Sequence, residues 1–317
     1  MPEAKTALVT GGAGFIGSHL VDRLLKEGHK VAVIDNLSRG KLKNLNSGAT
    51  FYHVDITHPS VQDIFQREQP DVVFHLAAQI SVSESTKDPV RDGEINVIGT
   101  LRLLEVVRRS GIEKFIYSST GGALYGDPKV NPCAEQTPII PLSPYGFSKY
   151  LAEQYVELYH RLHHLNYAIL RYGNVYGPRQ DPDGEAGVVA IFSRAMLEGK
   201  QPKIFGEGDQ ERDFVYVDDV VEANMCVMTK GDCAAYNIGT GQGTNVNRIY
   251  ESLRHITKYK WDAEHRTARP GEVYKMRLEC RKAYDELGWV PQVSLEEGLE
   301  RTAEFFRKAV KSVKATA

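Results

Sequence analysis

The sequence predicts an α/β fold, a Rossmann-type doubly wound parallel sheet with a smaller, mixed α/β C-terminal part. Three observations predict it. Short apolar runs alternate with amphipathic stretches through the first half of the chain. Those runs are nearly continuous, as strands buried on both faces are. A glycine-rich turn, Gly11-Gly-Ala-Gly14-Phe-Ile-Gly17, stands between the first run and the first helical pattern.

The elements follow in order. Thr6 to Thr10 is a short apolar strand that ends in glycines. Ile16 to Lys26 has helical periodicity, with Leu20, Leu24 and Leu25 on its apolar side. Lys30 to Asp35 and Phe51 to Asp55 are strands, Val61 to Glu68 a helix, and Asp71 to Ala78 a fourth strand. Glu94 to Ser110 is one long amphipathic helix. Lys114 to Ser119 is a fifth strand, Tyr145 to Leu162 a helix, and Tyr167 to Tyr172 a sixth strand. The pattern weakens after Gly173, and Gly177-Pro-Arg-Gln-Asp-Pro-Asp-Gly184 has loop chemistry. Residues 1–175 are therefore expected to form the nucleotide-binding domain and 176–317 mainly a substrate domain. A later segment near 213–250, such as Ala235 to Ile238, is a candidate to return to the first sheet.

A chain of 317 residues has length for about two domains. Its formal charge of −2 gives no electrostatic reason to expect nucleic acid or an anionic membrane as partner. The four cysteines lack metal-ligand spacing and fit a reduced compartment, so no metal site is expected. With no signal pattern and no apolar run of about 18 residues, a cytoplasmic location is expected.

The glycine turn has the strand before it and the helix after it that a dinucleotide site needs. Gly11, Gly14 and Gly17 let the backbone turn and approach a pyrophosphate, and the helix N-terminus supplies N–H groups. Asp35 closes the second strand about twenty residues on, where a carboxylate accepts the ribose hydroxyls and repels a 2′-phosphate. That favours NAD over NADP, although nearby Arg39 is of the type that serves a 2′-phosphate. Asp55 and Leu76-Ala77-Ala78 also end strands, where ligands bind on such sheets.

Tyr145 and Lys149 stand four residues apart and share a helix face. A phenol has a reference pKa of about 10, so roughly 0.1% is ionised at pH 7. A positive charge within about 4–6 Å favours the ionised form. Such a pair suits taking a proton from an alcohol.

Together these residues resemble the extended short-chain dehydrogenase/reductase family. The resemblance runs through Val9 to Ser18, Asp35 to Gly40, His75 to Ala78, Asn96, Ser118 to Thr120, Tyr145-x-x-x-Lys149, Arg171 to Gly177 and Arg212 to Asp219, covering nearly the whole chain. Within the family the chain looks most like the UDP-glucose 4-epimerases. The resemblance implies NAD as a cofactor held by Gly11, Gly14, Phe15, Ile16, Gly17, Asp35, Asn36, Ser38, Gly40, Asp55 and Ile56. Leu76, Ala77, Ala78, Asn96, Ser118, Tyr145, Lys149, Tyr172 and Val175 complete that set. It implies Tyr145 as base, with Lys149 on the nicotinamide ribose and lowering the Tyr145 pKa. The hydroxyl partner is Thr120 or, because the following loop carries one more residue than the common form, Ser119.

The substrate residues implied are Gln79, Ser81, Val82, Ser83, Thr120, Tyr145, Asn174, Val188, Phe205 and Glu272, with Arg212 and Arg269 on the diphosphate. Met276 falls where pocket size is set; its intermediate bulk leaves N-acetyl sugars open. Water-eliminating members carry acids where this chain has Gly121 and Gly122, so epimerisation at sugar C4 is the implied reaction. The implied substrate pair is UDP-galactose and UDP-glucose. UDP-N-acetylglucosamine, UDP-glucuronate and a UDP-pentose remain alternatives, as does a non-catalytic NAD-sensing role. A homodimer through the helices at 94–110 and 145–162 is also implied.

Overall fold

The computed structural model describes residues 3–184, 187–268 and 273–316. Arg269 and Glu272, implied as substrate residues, lie outside the described residues.

A seven-stranded parallel sheet carries the first half of the chain. Its strands are β1 (Thr6–Thr10), β2 (Lys30–Asp35), β3 (Thr50–His53), β4 (Val72–His75), β5 (Lys114–Thr120), β6 (Tyr167–Tyr172) and, much later, β10 (Ala234–Ile238). The spatial order is β10-β6-β5-β4-β1-β2-β3. The order reverses between β1 and β4, and at such a switch point a crevice opens beyond the strand ends.

Alternate residues of each strand face opposite sides, which splits the core in two. On one side Ala7 and Val9 pack with Leu20, Val21 and Leu24 of α1 (Phe15–Lys26) and with Val220 and Val227 of α9 (Val217–Thr229). On the other side Leu8 and Tyr117 pack with α2 (Val61–Glu68), α5 (Gly99–Ser110) and α7 (Pro144–His163). Short helices α3 (Val82–Lys87), α4 (Pro89–Gly93) and α6 (Gly121–Leu124) pack against α7.

After β6 the chain makes β7 (Asn174–Tyr176), which leaves the main sheet and pairs with β9 (Glu211–Tyr216); β11 (Gly243–Asn245) completes that small sheet. Helices α8 (Val188–Leu197), α10 (Val246–Thr257) and α11 (Leu295–Thr316) and the pair β8 (Lys203–Phe205) and β12 (Glu264–Arg266) surround it. Tyr176, Phe192, Phe214, Tyr216 and Leu253 form a third core there.

Two elements differ from the sequence expectation. The fourth strand stops at His75, because residues 76–80 bend over the glycine turn. The expected helix 94–110 is a π-helical stretch over Glu94–Ile98, running on from α4, and then α5. Of the segment 213–250 only β10 rejoins the first sheet. Gly173 explains the divergence at β7: a Cβ there would stand 2.7 Å from the Asp213 carbonyl oxygen, so only glycine lets β9 approach.

Candidate functional site

Ser143 caps α7, its hydroxyl accepting from Gly146 N–H at 3.1 Å, and Pro144 occupies the first helical position. Tyr145 therefore lies in the first turn, where the helix field favours a negative charge. Its backbone N–H donates to the Ser85 hydroxyl of α3 at 3.1 Å. Thr120, the last residue of β5, has its side chain beside the Tyr145 phenol, where it favours the ionised form. The structure thus sets Thr120, not Ser119, beside Tyr145. Ser119 is buried and its hydroxyl has no partner among the described residues.

Lys149 is buried one turn along α7. The sequence expectation was that it would bring Tyr145 below its ordinary pKa. Instead burial pushes the phenol up to about 12, Thr120 opposing and the Asp92 charge adding to the rise. Burial also lowers Lys149 to about 7, against the fields of Glu153 and Asp92. Desolvation wins on both groups because each sits in protein interior without a direct counter-ion.

Asp92 was not anticipated. It is buried beneath the pair, its carboxylate accepting from Gln79 Nε2 at 2.8 Å and Asn96 Nδ2 at 3.2 Å. Asn96 itself clamps the backbone of Gln79, accepting its N–H at 2.8 Å and donating to its carbonyl at 3.0 Å, and donates to Ser148 Oγ at 3.1 Å. The π-helical stretch delivers this side chain, a use such irregular turns often have. The 92/96 helical spacing was the only sequence signal for Asp92.

His75 is buried between two hydroxyls. Thr100 Oγ1 donates to the Asn96 carbonyl at 2.7 Å, so His75 Nε2–H donates to Thr100 Oγ1 at 3.0 Å, and Nδ1 accepts from Thr10 Oγ1 at 2.7 Å. The imidazole is neutral, held near pKa 3 by burial and then by Lys149.

The glycine turn fits a dinucleotide. Gly11 has φ +71°, and a Cβ on it would meet Ala77 N at 2.8 Å. No side chain caps the N-terminus of α1 at Gly14, which leaves first-turn N–H groups free for a phosphate. Asp35 is buried, accepting from Ala13 N–H at 3.0 Å and Leu37 N–H at 2.8 Å. A Cβ on Gly40 would press its two oxygens at 2.8 Å. Arg39 pairs with Glu84 at 2.6 Å, so its charge is already engaged.

The remaining residues are scattered around this crevice with varied partners. Asn36 donates to Asp55 at 2.7 Å, and Asn36 Oδ1 accepts from Ser38 N–H at 3.0 Å. Tyr172 is buried, its phenol 3.1 Å from Ser118 Oγ. Ser81 caps α3 by accepting from Glu84 N–H at 3.1 Å. A Cβ on Gly122 would lie 3.3 Å from Asn174 Oδ1 and 3.9 Å from Thr120 Oγ1, which puts these three together. Arg212 donates to the Glu211 carbonyl at 2.9 Å. Met276 is buried with Tyr125, Cys133 and Leu278. Val188 opens α8 and Phe205 closes β8.

A glycine turn, a strand-end carboxylate and a Tyr/Lys helix thus stand at the carboxyl ends of β1, β2 and β5. Residues 7–239 match the NAD dependent epimerase/dehydratase family. The chain belongs to that family. It is an extended short-chain dehydrogenase/reductase, and its cofactor is NAD. A UDP-glucose 4-epimerase of Mycolicibacterium smegmatis is 44% identical over 306 residues, covering 95% of this chain and 98% of that relative. The crystal structure of Thermotoga maritima UDP-glucose 4-epimerase with UDP-glucose is 53% identical with a TM-score of 0.95, over 96% of this chain and 99% of that one. That of the Thermus thermophilus UDP-glucose 4-epimerase complex with NAD is 42% identical with a TM-score of 0.93, again over 96% and 99%. Among the described residues no group of His, Cys, Asp or Glu is placed to hold a metal, and no helix is long and apolar enough to cross a membrane.

Proposed function

We propose that this protein is a UDP-sugar 4-epimerase, with UDP-galactose and UDP-glucose as its substrate pair. The observation that carries the reading is the Tyr145 phenol beside Thr120, one turn from buried Lys149. Gly11, Gly14, Gly17 and Asp35 hold NAD, which supplies the hydride acceptor for sugar C4 and a positive charge that favours the phenolate. Tyr145 Oη takes the proton of the sugar 4-hydroxyl, and Thr120 Oγ1 holds that hydroxyl in line. Lys149 steadies the phenolate by its charge. The same Oη returns the proton after the 4-keto sugar has turned, so no second acid is needed. Gly122 leaves the space beside Thr120 and Asn174 without a carboxylate, which disfavours elimination. Arg212 and Arg269 grip the diphosphate as guanidinium forks. Residues 1–175 with β10 serve the cofactor, and 176–317 serve the sugar nucleotide. Two copies pack through α5 and α7, where Ile98, just before α5, and Leu162, in the last turn of α7, are exposed.

The test is product chromatography with purified protein and no added cofactor. UDP-galactose is expected to become UDP-glucose, and Tyr145→Phe to reduce the rate about 10²–10⁴-fold while NAD stays bound. Relatives 33–34% identical are a UDP-glucuronate 4-epimerase and a UDP-N-acetylglucosamine 4-epimerase, so both sugars belong in the panel. Turnover of either in place of UDP-galactose by NAD-loaded protein overturns the substrate assignment.

A further inference from the structure

Lys149 has a neighbour that its pairing with Tyr145 does not explain. Tyr117 of β5 is 1% exposed, and the Lys149 ammonium stands 4.3 Å from its ring centroid. The Tyr117 hydroxyl is fully buried and has no hydrogen-bond partner among the described residues. The ring is therefore the useful part of this residue.

The need for it follows from the other groups around Lys149. Glu153, on the same helix, is committed to Arg171 of β6 at 2.7 Å. Asp92 of α4 is committed to Gln79 and Asn96. His75 of β4 is neutral and spent on two threonines. Tyr145 carries no charge at rest. Among the described residues no carboxylate lies within ion-pair distance of Lys149 Nζ. A buried ammonium without hydration or a direct counter-ion loses its charge readily. The negative face of an aromatic ring is a partner that needs no carboxylate, and desolvation strengthens the attraction.

We propose that the face of the Tyr117 ring is a positioning element of the Tyr145–Lys149 pair, holding the Lys149 ammonium in place and charged. The inference rests on the reading of that pair as the acid–base device. It makes Tyr117 a residue that acts through Lys149, not one that touches substrate. Phenylalanine keeps the face and loses only the idle hydroxyl; an aliphatic side chain loses the face.

The experiment is a pH titration of Lys149 by NMR in holoenzyme labelled with [ε-¹³C]lysine, its resonance assigned with Lys149→Met. Wild type is expected to titrate near the low value that burial imposes, about 7. Tyr117→Phe should match it, and Tyr117→Leu should titrate about one pH unit lower. In the epimerase assay the alkaline limb of kcat should follow, with Tyr117→Leu about fivefold slower at pH 7 and Tyr117→Phe unchanged. Tyr117→Met, which keeps volume without an aromatic face, replaces Leu if that variant does not fold. A wild-type titration in Tyr117→Leu overturns the proposal, and so does an equal shift in Tyr117→Phe, which would assign the effect to the hydroxyl. If wild type turns over no UDP-sugar, the functional reading fails while the NMR titration still decides the ring's role.

Discussion

The same substitution, glycine to alanine, should have opposite effects at Gly17 and Gly93. At Gly17 the added Cβ would stand 2.2 Å from the Gly11 carbonyl oxygen and 2.9 Å from Gly12 Cα. Non-bonded carbons rest about 3.5–4.0 Å apart. Both obstacles are backbone, so neither can swing aside. The start of α1 must retreat by on the order of 1 Å from the glycine turn. Overpacking of this kind costs about 1–3 kcal/mol, or roughly 2–6 °C in Tm for a chain of this size. NAD affinity should fall about 100-fold, since displacements of about 1 Å carry penalties of that order. Gly93 has ordinary helical angles, φ −63° and ψ −41°, and nothing within 4 Å of an added Cβ. Gly93→Ala should therefore raise stability by about 0.4–1 kcal/mol, through lost freedom of the unfolded chain, and leave NAD binding alone. Thermal denaturation and NAD retention after gel filtration read both quantities. A Gly17→Ala protein with wild-type Tm and full NAD content would refute the argument that close backbone approach is what this glycine serves.

Three further outcomes concern charged and titratable groups. Glu153→Gln should destabilise by about 3–5 kcal/mol in denaturant unfolding, because Arg171 would stay buried without its bidentate partner; replacing the pair together should cost less. His75 is neutral in the fold with a pKa near 3, against 6.5 ordinarily. Below pH 6.5 the unfolded chain gains a proton that the fold refuses, so this group's stability is present above 6.5 and lost as pH falls towards 3. At pH 5 the loss is about 2 kcal/mol, and His75→Gln should flatten that part of the stability profile. Arg39 is held by Glu84, so Glu84→Gln should improve NADP binding several-fold over wild type in competition with NAD; no change would separate Arg39 from dinucleotide choice.

What was legible in the sequence is what one segment encodes by itself. The glycine turn, Asp35 and the Tyr145–Lys149 spacing announce their geometry locally, because a strand, a turn and a helix fix where each side chain points. Lys149's surroundings were not legible. Asp92, Tyr117 and Glu153 arrive from α4, β5 and α7 and look, in sequence, like any polar residue of a helix or strand. The choice between Thr120 and Ser119 turned on one inserted residue, and only the course of β5 to Thr120 resolves which hydroxyl meets the phenol. The direction of the Tyr145 shift was misjudged for a related reason: spacing reveals a neighbouring charge but not the burial that outweighs it. The π-helical stretch was hidden because its apolar pattern matches that of an ordinary helix.

The position of β10 bears on how the chain is made. β6 has no partner on its outer side until Ala234–Ile238 has been synthesised, and the whole small sheet strand β9 comes first. Ribosomes add about 5–20 residues per second, so the apolar edge Tyr167–Tyr172 stands open for several seconds on every nascent chain. A ribosome stall between residues 173 and 233 would leave that edge free to pair with another chain. The seven-stranded sheet thus waits on the second half of the chain, and the two are one unit in synthesis.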